Sequence, residues 1–127
     1  MKRLSINDIL NKDDVKTKII EIPEWDGSVE IRSMTGEARD AYEESVFKRL
    51  DNGEYERDLS NARAKLIAAC VYDLDGTRMF KSDAQIKALG SKSAIVLDRL
   101  FTECQNINAI SQQDMDELEG KSEADQL

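Results

Sequence analysis

The feature that most constrains the fold is a segment near the middle of the chain that is apolar around most of a helical surface. Between residues 56 and 72, apolar side chains recur three and four positions apart, and Ile67 and Val71 widen this apolar face. Only a narrow polar edge remains, which includes Asn61 and Lys65. A helix with so little polar surface must be covered on two sides. We therefore expect residues 56–72 to form the central helix of the protein.

Two further long helices are predicted, one on each side of this segment in the chain. The first covers about residues 35–50 with Thr35 as its N-cap, and the second covers about 91–109 with Ser91 as its N-cap. Shorter helices are predicted where a serine is followed three residues later by aspartate or glutamine, which is the pattern of a capping box. These serines are Ser5, Ser82 and Ser111.

A β-hairpin is predicted over about residues 16–33. Ile20 and Ile22 occupy alternate positions before a turn, and Val29 and Ile31 do so after it, as in strands with one buried face. The turn sequence between them, PEWDG, contains the only proline and the only tryptophan of the chain. Proline fixes φ and an Asp-Gly pair tolerates left-handed backbone, so this sequence favours a tight connection.

Together these elements predict an α+β fold that is predominantly α-helical, with the hairpin packed on a bundle of the three main helices. A chain of 127 residues can bury one hydrophobic core. We expect a single globular domain over residues 1–119 and a flexible polar tail over 120–127. Cys70 and Cys104 lie on apolar helical faces without Cys-x-x-Cys spacing, which predicts reduced thiols in the core.

The composition argues against catalysis, metal binding and nucleic-acid binding. The chain has no histidine, which removes the commonest general base and the commonest zinc ligand. Its net charge of −8 opposes binding to phosphate backbones. No stretch approaches the roughly 18 apolar residues of a transmembrane helix. We therefore predict no catalytic residue, cofactor or metal ion, and neither nucleic acid nor membrane as a partner.

Two short motifs resemble ligand-binding loops but fail on spacing. A calcium loop that includes DLDG would need carboxylates at its first and last positions, where Val71 and Ser82 stand. The GKS sequence at 120–122 lacks the earlier glycine of a phosphate-binding loop, because Met115 stands there. We interpret DLDG as an Asp-Gly turn with about two strand-like residues on each side.

The remaining functional candidates are apolar residues that could contact another protein. Trp25 lies at the hairpin tip, where it either folds onto the helices or anchors a partner, since tryptophan is favoured at interface hot spots. Ile95 lies on the polar side of the third long helix, roughly opposite Leu97 and Cys104. We name Trp25 and Ile95 as candidate partner-binding residues. The edge of the hairpin is a candidate surface for self-association.

Three motifs, in this order and at this spacing, resemble the small tail assembly chaperones of long-tailed bacteriophages and their prophages. They are a Pro-x-Trp turn followed by RSMTGEARD, the DLDGTRMF turn, and LGSKSAIVLDRL. Each motif alone is short and structural, whereas their order and spacing together carry the resemblance. It covers nearly all of residues 5–121.

The resemblance implies a helper protein that acts in the cytoplasm of the host bacterium and is absent from the mature virion. Such proteins bind the tape measure protein, keep it soluble, and assist the recruitment of tail tube subunits around it. In many such phages a programmed ribosomal frameshift adds a domain that contacts the tail tube protein. This chain would then be the short, non-frameshifted form.

Two other interpretations are compatible with a small, acidic, helix-rich chain. One is a phage head–tail connector or tail-completion protein, which would remain in the finished particle. The other is a small host regulatory adaptor, which a gene lying away from phage structural genes would favour. The presence or absence of the protein in purified virions separates the connector from the chaperone.

Overall fold

The computed structural model describes residues 1–111, 113, 114 and 117. Within them it has the α+β architecture that the sequence predicts, with helices dominant and a β-hairpin near the beginning of the chain. The predicted flexible tail, 120–127, lies outside the described residues, as does the end of the predicted domain at residue 119.

The helices are α1 (Ile6–Leu10), α2 (Gly36–Ser45), α3 (Ala62–Cys70), α4 (Asp83–Leu89) and α5 (Ala94–Ile107), with a 3-10 turn at Pro23–Trp25. The strands are β1 (Thr17–Ile22), β2 (Gly27–Arg32), β3 (Phe47–Arg49), β4 (Tyr55–Arg57) and β5 (Val71–Tyr72).

The predicted hairpin over 16–33 is confirmed. β1 and β2 pair antiparallel, from Thr17 opposite Arg32 to Ile22 opposite Gly27. The alternation of apolar residues places Ile22 in the core, where it is fully buried. β5 joins the other edge of β2, so the sheet has the strand order β1–β2–β5.

The core lies between this sheet and the helices, and α3 is at its centre. Six of the nine residues of α3 are buried, and Leu66, Ile67 and Cys70 have no exposed surface. α3 packs against α2, α4 and α5, while α5 also packs against β1 and β2. The prediction of a helix covered on more than one side is confirmed, although the helix is shorter than 56–72.

Two predicted helix bounds between α2 and α3 are wrong, namely the end at residue 50 and the start at residue 56. The helix predicted over 35–50 ends at Ser45, and residues 47–57 form a second antiparallel hairpin, β3–β4, instead of the end of one helix and the start of the next. Gly53 has φ +85°, and the Leu50 N–H donates to the Glu54 carbonyl at 2.7 Å, which closes the turn. An Asn-Gly pair between alternating segments is a hairpin signal, and here it prevails over the helical spacing.

The end of the predicted central helix is also corrected, from residue 72 to Cys70. Val71 is extended, with φ −83° and ψ 129°, and pairs with Ile31 of β2. A β-branched residue is suited to this strand, and the pairing satisfies backbone groups at the sheet edge. The strand-like residues predicted on each side of the Asp-Gly turn are confirmed, because Tyr72 forms a β-bridge with Arg78.

The predicted N-caps are confirmed except at Ser91. Ser5 and Ser82 form complete capping boxes, and Thr35 caps α2. At Ser111, both reciprocal hydrogen bonds with Asp114 are present. The helix predicted over 91–109 instead begins at Ala94 after Ser93, because the N–H and hydroxyl of Ser91 both donate to the Ala88 carbonyl and close α4.

Candidate partner-binding surface

The hairpin tip presents Trp25 beside a sharp backbone turn. Pro23 begins the 3-10 turn, and Asp26 follows with φ 55°, its N–H donating to the Pro23 carbonyl at 3.0 Å. Asp26 is one of the residue types that tolerate left-handed backbone at low cost. The turn leaves the Trp25 side chain at the molecular surface, 37% exposed. The tryptophan side chain is therefore partly covered and partly exposed to solvent.

Trp25 borders an apolar groove of about 480 Å³, which we call the Trp25 groove. Its walls include Val29 of β2, Met79 and Phe80 after β5, and Leu89 of α4. Among the described residues that line it, only Gln85 and Lys92 are polar. An apolar groove of this size with a few polar groups at its rim is the usual form of a binding site for a small molecule or an apolar side chain.

An ion pair joins the hairpin tip to α5. Arg99 donates two hydrogen bonds to the Glu24 carboxylate, from Nη2 to Oε1 at 2.6 Å and from Nη1 to Oε2 at 3.1 Å. These bonds hold the pKa of the Glu24 carboxyl below its usual value and raise the pKa of the Arg99 guanidinium. The bidentate geometry fixes the orientation of the tip relative to α5, which a single-contact lysine could not do.

Ile95 lies on α5 one turn before Arg99 and is 76% exposed. Residues four apart share a helix face, so Ile95 and Arg99 point to the same side of α5. Lys92, three residues before Ile95, lines the Trp25 groove. The fold thus brings Trp25 and Ile95, which are 70 residues apart in the chain, to the two sides of one ion pair. The exposure predicted for Ile95 is confirmed, and its role in binding stays a prediction.

A second exposed apolar surface, which was not predicted from the sequence, lies on α1. Ile6, Ile9 and Leu10 are 72%, 57% and 72% exposed, and no residue of α1 is buried. Their spacing of three and four positions places them on one face of the helix. This spacing directly after the Ser5 capping box was the available signal.

The two cysteines form a pair that is buried in the core. Cys70 and Cys104 are free and fully buried, and Asn108 Nδ2 donates to Cys70 Sγ at 3.3 Å. The hydrogen bond with Cys70, together with burial, raises the pKa of the Cys104 thiol. A thiol held protonated in the core is a poor nucleophile. The prediction that both cysteines lie in the core is confirmed.

The described part of the chain contains no cluster of three or more His, Cys, Asp or Glu side chains arranged to hold a metal ion. Among the same residues, no helix is both long and apolar enough to span a membrane. Apart from Glu24, the carboxylates with lowered pKa values, such as Asp8 and Asp75, accept hydrogen bonds within their own turns. These shifts are explained by local caps and turns. The most distinctive arrangement is therefore the apolar groove beside Trp25, with the exposed Ile95 on α5 as a separate apolar side chain.

Comparison with known proteins gives a family and a fold. A family model described as "Phage tail assembly chaperone" matches residues 7–121. The solved structure of the bacteriophage HK97 tail assembly chaperone is similar to this chain, with a TM-score of 0.53 and 23% sequence identity over 76% of this chain and 85% of that one. At this identity, the likeness supports the fold alone. No curated protein matches the sequence significantly.

Proposed function

Because the chain belongs to the phage tail assembly chaperone family, we propose that it binds the tape measure protein of a phage tail, keeps that protein soluble, and assists the recruitment of tail tube subunits. The family match confirms the resemblance inferred from the three sequence motifs. Membership implies a phage tail protein as partner, and the choice of the tape measure protein is our proposal.

The observation that carries this proposal is the apolar surface around the hairpin tip. Tape measure proteins are expected to be long, helical and prone to aggregation. An amphipathic helix binds by placing its apolar face into an apolar groove. The Trp25 groove offers such a surface. Ile95 of α5, which does not line the groove, is a separate exposed apolar side chain. Trp25 and Ile95 are therefore our candidates for direct contact with the client.

The charge of the chain supports a role in solubility. The net charge is −8, and like-charged particles repel each other in solution. A client segment covered by several copies of this chain would acquire their negative charge along with their polar surface. This combination would oppose aggregation without any chemical step, and we propose that the protein is not an enzyme.

We further propose that the protein acts in the host bacterial cytoplasm and leaves before the virion is complete. Tail tube recruitment would then depend mainly on a longer frameshift product, whose added domain contacts the tail tube protein. In this scheme the present chain supplies client binding, and the longer form supplies the link to the tube. No cofactor or metal ion is needed for either task.

Coexpression with the tape measure protein tests the proposal. We expect the soluble fraction of the tape measure protein to rise several-fold and the two proteins to purify together. An unchanged soluble fraction and no joint purification would contradict the proposed function. A matched run with the Ile22→Asp variant, which places a charge in the core at a fully buried position, controls for effects that do not need the folded protein.

Mass spectrometry of purified virions separates this function from that of a head–tail connector or tail-completion protein. We expect the chain to be absent from the particle or present in trace amounts. A stoichiometric amount in washed virions would support the connector instead.

A further inference from the structure

A cleft of about 780 Å³ lies between α2, α3 and α4, and it shares no lining residue with the Trp25 groove. Four of its lining side chains are basic, and we call it the cationic cleft: Lys65, Arg78, Lys81 and Lys87. Two carboxylates, Asp58 and Asp83, also line it, so its formal charge is +2. Because the chain carries −8 in total, all its other residues together carry −10. The cationic cleft therefore has the opposite charge to the rest of the protein.

Lys65 holds the cleft together. Its side chain is 16% exposed, and its Nζ donates to the carbonyls of Ser45 at 3.0 Å and Asp58 at 3.3 Å. These bonds join α3 to the end of α2 and to the loop before α3. The Asp58 carboxylate accepts from the Ser60 N–H at 3.1 Å and lies 3.5 Å from Lys65 Nζ. Lys65 and Asp58 are thus already engaged with each other and with their neighbours.

The other three cations of the cleft lack such partners. Within the described part of the chain, the side chains of Arg78 and Lys87 form no hydrogen bond or ion pair. The pKa of the Asp75 carboxyl is lowered chiefly by hydrogen bonds from Thr77, and the charge of Lys81 adds only a smaller effect. Arg78 is half-buried. A guanidinium that has lost part of its hydration is best compensated by a carboxylate, which it can bind through two parallel hydrogen bonds.

Between these cations the cleft has an apolar floor. It is formed by Ala41 of α2, Ala68 and Ala69 of α3, and Ile86 of α4. The two alanines of α3 are small and at least 95% buried, which leaves space above them for a side chain of the ligand. Apolar walls with a few charged groups at defined positions are typical of sites that bind one ligand in one orientation. The floor and its cations therefore fit an apolar side chain with carboxylates beside it.

A nucleic acid fits this cleft less well than an acidic peptide does. A long phosphate backbone would be repelled by the surface outside the cleft, where the charge is −10. Among the described residues that line the cleft, Tyr42 is the only aromatic one, and it is 4% exposed. Its ring is therefore not available for stacking on a base, which single-stranded nucleic acids normally require.

We propose that the cationic cleft binds a short acidic segment of a partner protein. Arg78 binds one carboxylate through both guanidinium nitrogens, and Lys81 and Lys87 contact further carboxylates as point charges. An apolar side chain of the segment lies on Ala68 and Ala69. This docking site is separate from the Trp25 groove and goes beyond the proposed function, so either can fail while the other stands.

Fluorescence anisotropy with a labelled peptide tests the proposal. The probe is fluorescein-labelled Glu-Leu-Glu-Glu-Leu-Glu, and its control has glutamine in place of every glutamate. We expect saturable binding of the acidic peptide with a dissociation constant below about 1 mM, and binding of the control at least about tenfold weaker. No saturable binding, or equal binding of the two peptides, would overturn the proposal. Tighter binding of a twelve-residue oligothymidine than of the acidic peptide would overturn it in favour of a nucleic acid.

Two substitutions and a matched control locate the binding site. Arg78→Gln should raise the dissociation constant of the acidic peptide about tenfold, because the bidentate pair is lost, and Lys87→Gln should raise it several-fold. Lys12→Gln removes the same charge from an exposed lysine outside the cleft and should change it by less than about twofold. Equal effects of Lys87→Gln and Lys12→Gln would overturn the proposal, because binding would then follow net charge. Thermal unfolding confirms that each variant is folded, and Lys87, on the exposed side of α4, provides the test if Arg78→Gln is not.

Trp25 provides an internal probe of the other groove, because it is the only tryptophan of the chain. Saturation with the unlabelled acidic peptide should leave its fluorescence emission unchanged, since the groove that it borders shares no residue with the cationic cleft. A shift of the emission that saturates together with peptide binding would place the peptide in the Trp25 groove and would overturn the assignment to the cationic cleft.

Discussion

α3 and α1 are both short helices rich in apolar residues, but the apolar side chains of α3 are mostly buried and those of α1 are exposed to solvent. In α3, Leu66, Ile67 and Cys70 are fully buried, and other helices cover it on several sides. In α1, every apolar side chain is more than half exposed. The comparison shows that the apolar residues of this chain have two uses. Those of α3 stabilise the fold, and those of α1 and the hairpin tip are available to other molecules.

The largest expected effect comes from one substitution made in both helices. Leu66→Ala should lower the free energy of unfolding by about 2–5 kcal/mol, because it leaves a cavity at a fully buried position. Leu10→Ala, at a side chain that is 72% exposed, should change it by less than about 0.5 kcal/mol. Urea unfolding followed by circular dichroism measures both values. Equal losses of stability would mean that α1 is packed in solution and would remove the contrast.

The two capping boxes provide a smaller test of the same contrast. Ser82→Ala should lower the free energy of unfolding by about 1 kcal/mol, because α4 is packed through the buried Leu89 and depends on its cap. Ser5→Ala removes an equivalent cap but should leave global stability unchanged, since α1 can unwind without opening the core. Hydrogen exchange should instead show faster exchange confined to α1. A fall in global stability for Ser5→Ala would contradict this separation.

The smallest expected effect concerns the ion pair that ties the hairpin tip to α5. Hydrogen bonds from Arg99 lower the pKa of Glu24, so the ion pair contributes fully above the usual pKa of a glutamate carboxyl and is lost as pH falls through the lowered value. Arg99→Gln should return this pKa towards its usual value, as NMR titration of the Glu24 side chain would show. Stability at neutral pH should change little, because both side chains are exposed to solvent.

The matched control for this measurement is Arg63→Gln. Arg63 pairs with Asp98 and not with Glu24, so its loss should leave the titration of Glu24 unchanged. A shift of the Glu24 pKa in both variants would indicate a general field effect. The hairpin tip would then be held less specifically than the bidentate geometry implies.

Much of the fold could be predicted because its signals are local. The β1–β2 hairpin follows from alternation around a Pro and Asp-Gly turn, and the helices after Ser5 and Ser82 follow from their capping boxes. The β3–β4 hairpin was not predicted, because the helical spacing of apolar residues continues through Val46 and Leu50 and masks the hairpin signal of the Asn-Gly pair. The predicted helix included β5 because Val71 continues the apolar face of the helix, and no Gly or Pro marks its end.

The candidate site could be predicted residue by residue but not as a surface. Trp25 and Ile95 were identified from their local sequence, whereas the ion pair between Glu24 and Arg99 joins positions 75 residues apart. Such a contact depends on the packing of the hairpin on α5, and no local pattern contains it. The exposed face of α1 was missed for a related reason, because an i, i+3, i+4 pattern normally indicates a buried face.

The most direct test of the account measures stability and client binding for Ile95→Asp in the same preparation. We predict a free energy of unfolding within about 0.5 kcal/mol of wild type, because Ile95 is 76% exposed, and a several-fold loss of co-purified tape measure protein. The control is Ile19→Asp, which makes the same change at a side chain that is 57% exposed. Ile19 alternates with the buried Ile20 on β1. We expect the Ile19→Asp variant to retain the client. Wild-type client binding by Ile95→Asp, together with a large loss of stability, would contradict the claim that this exposed apolar surface serves a partner.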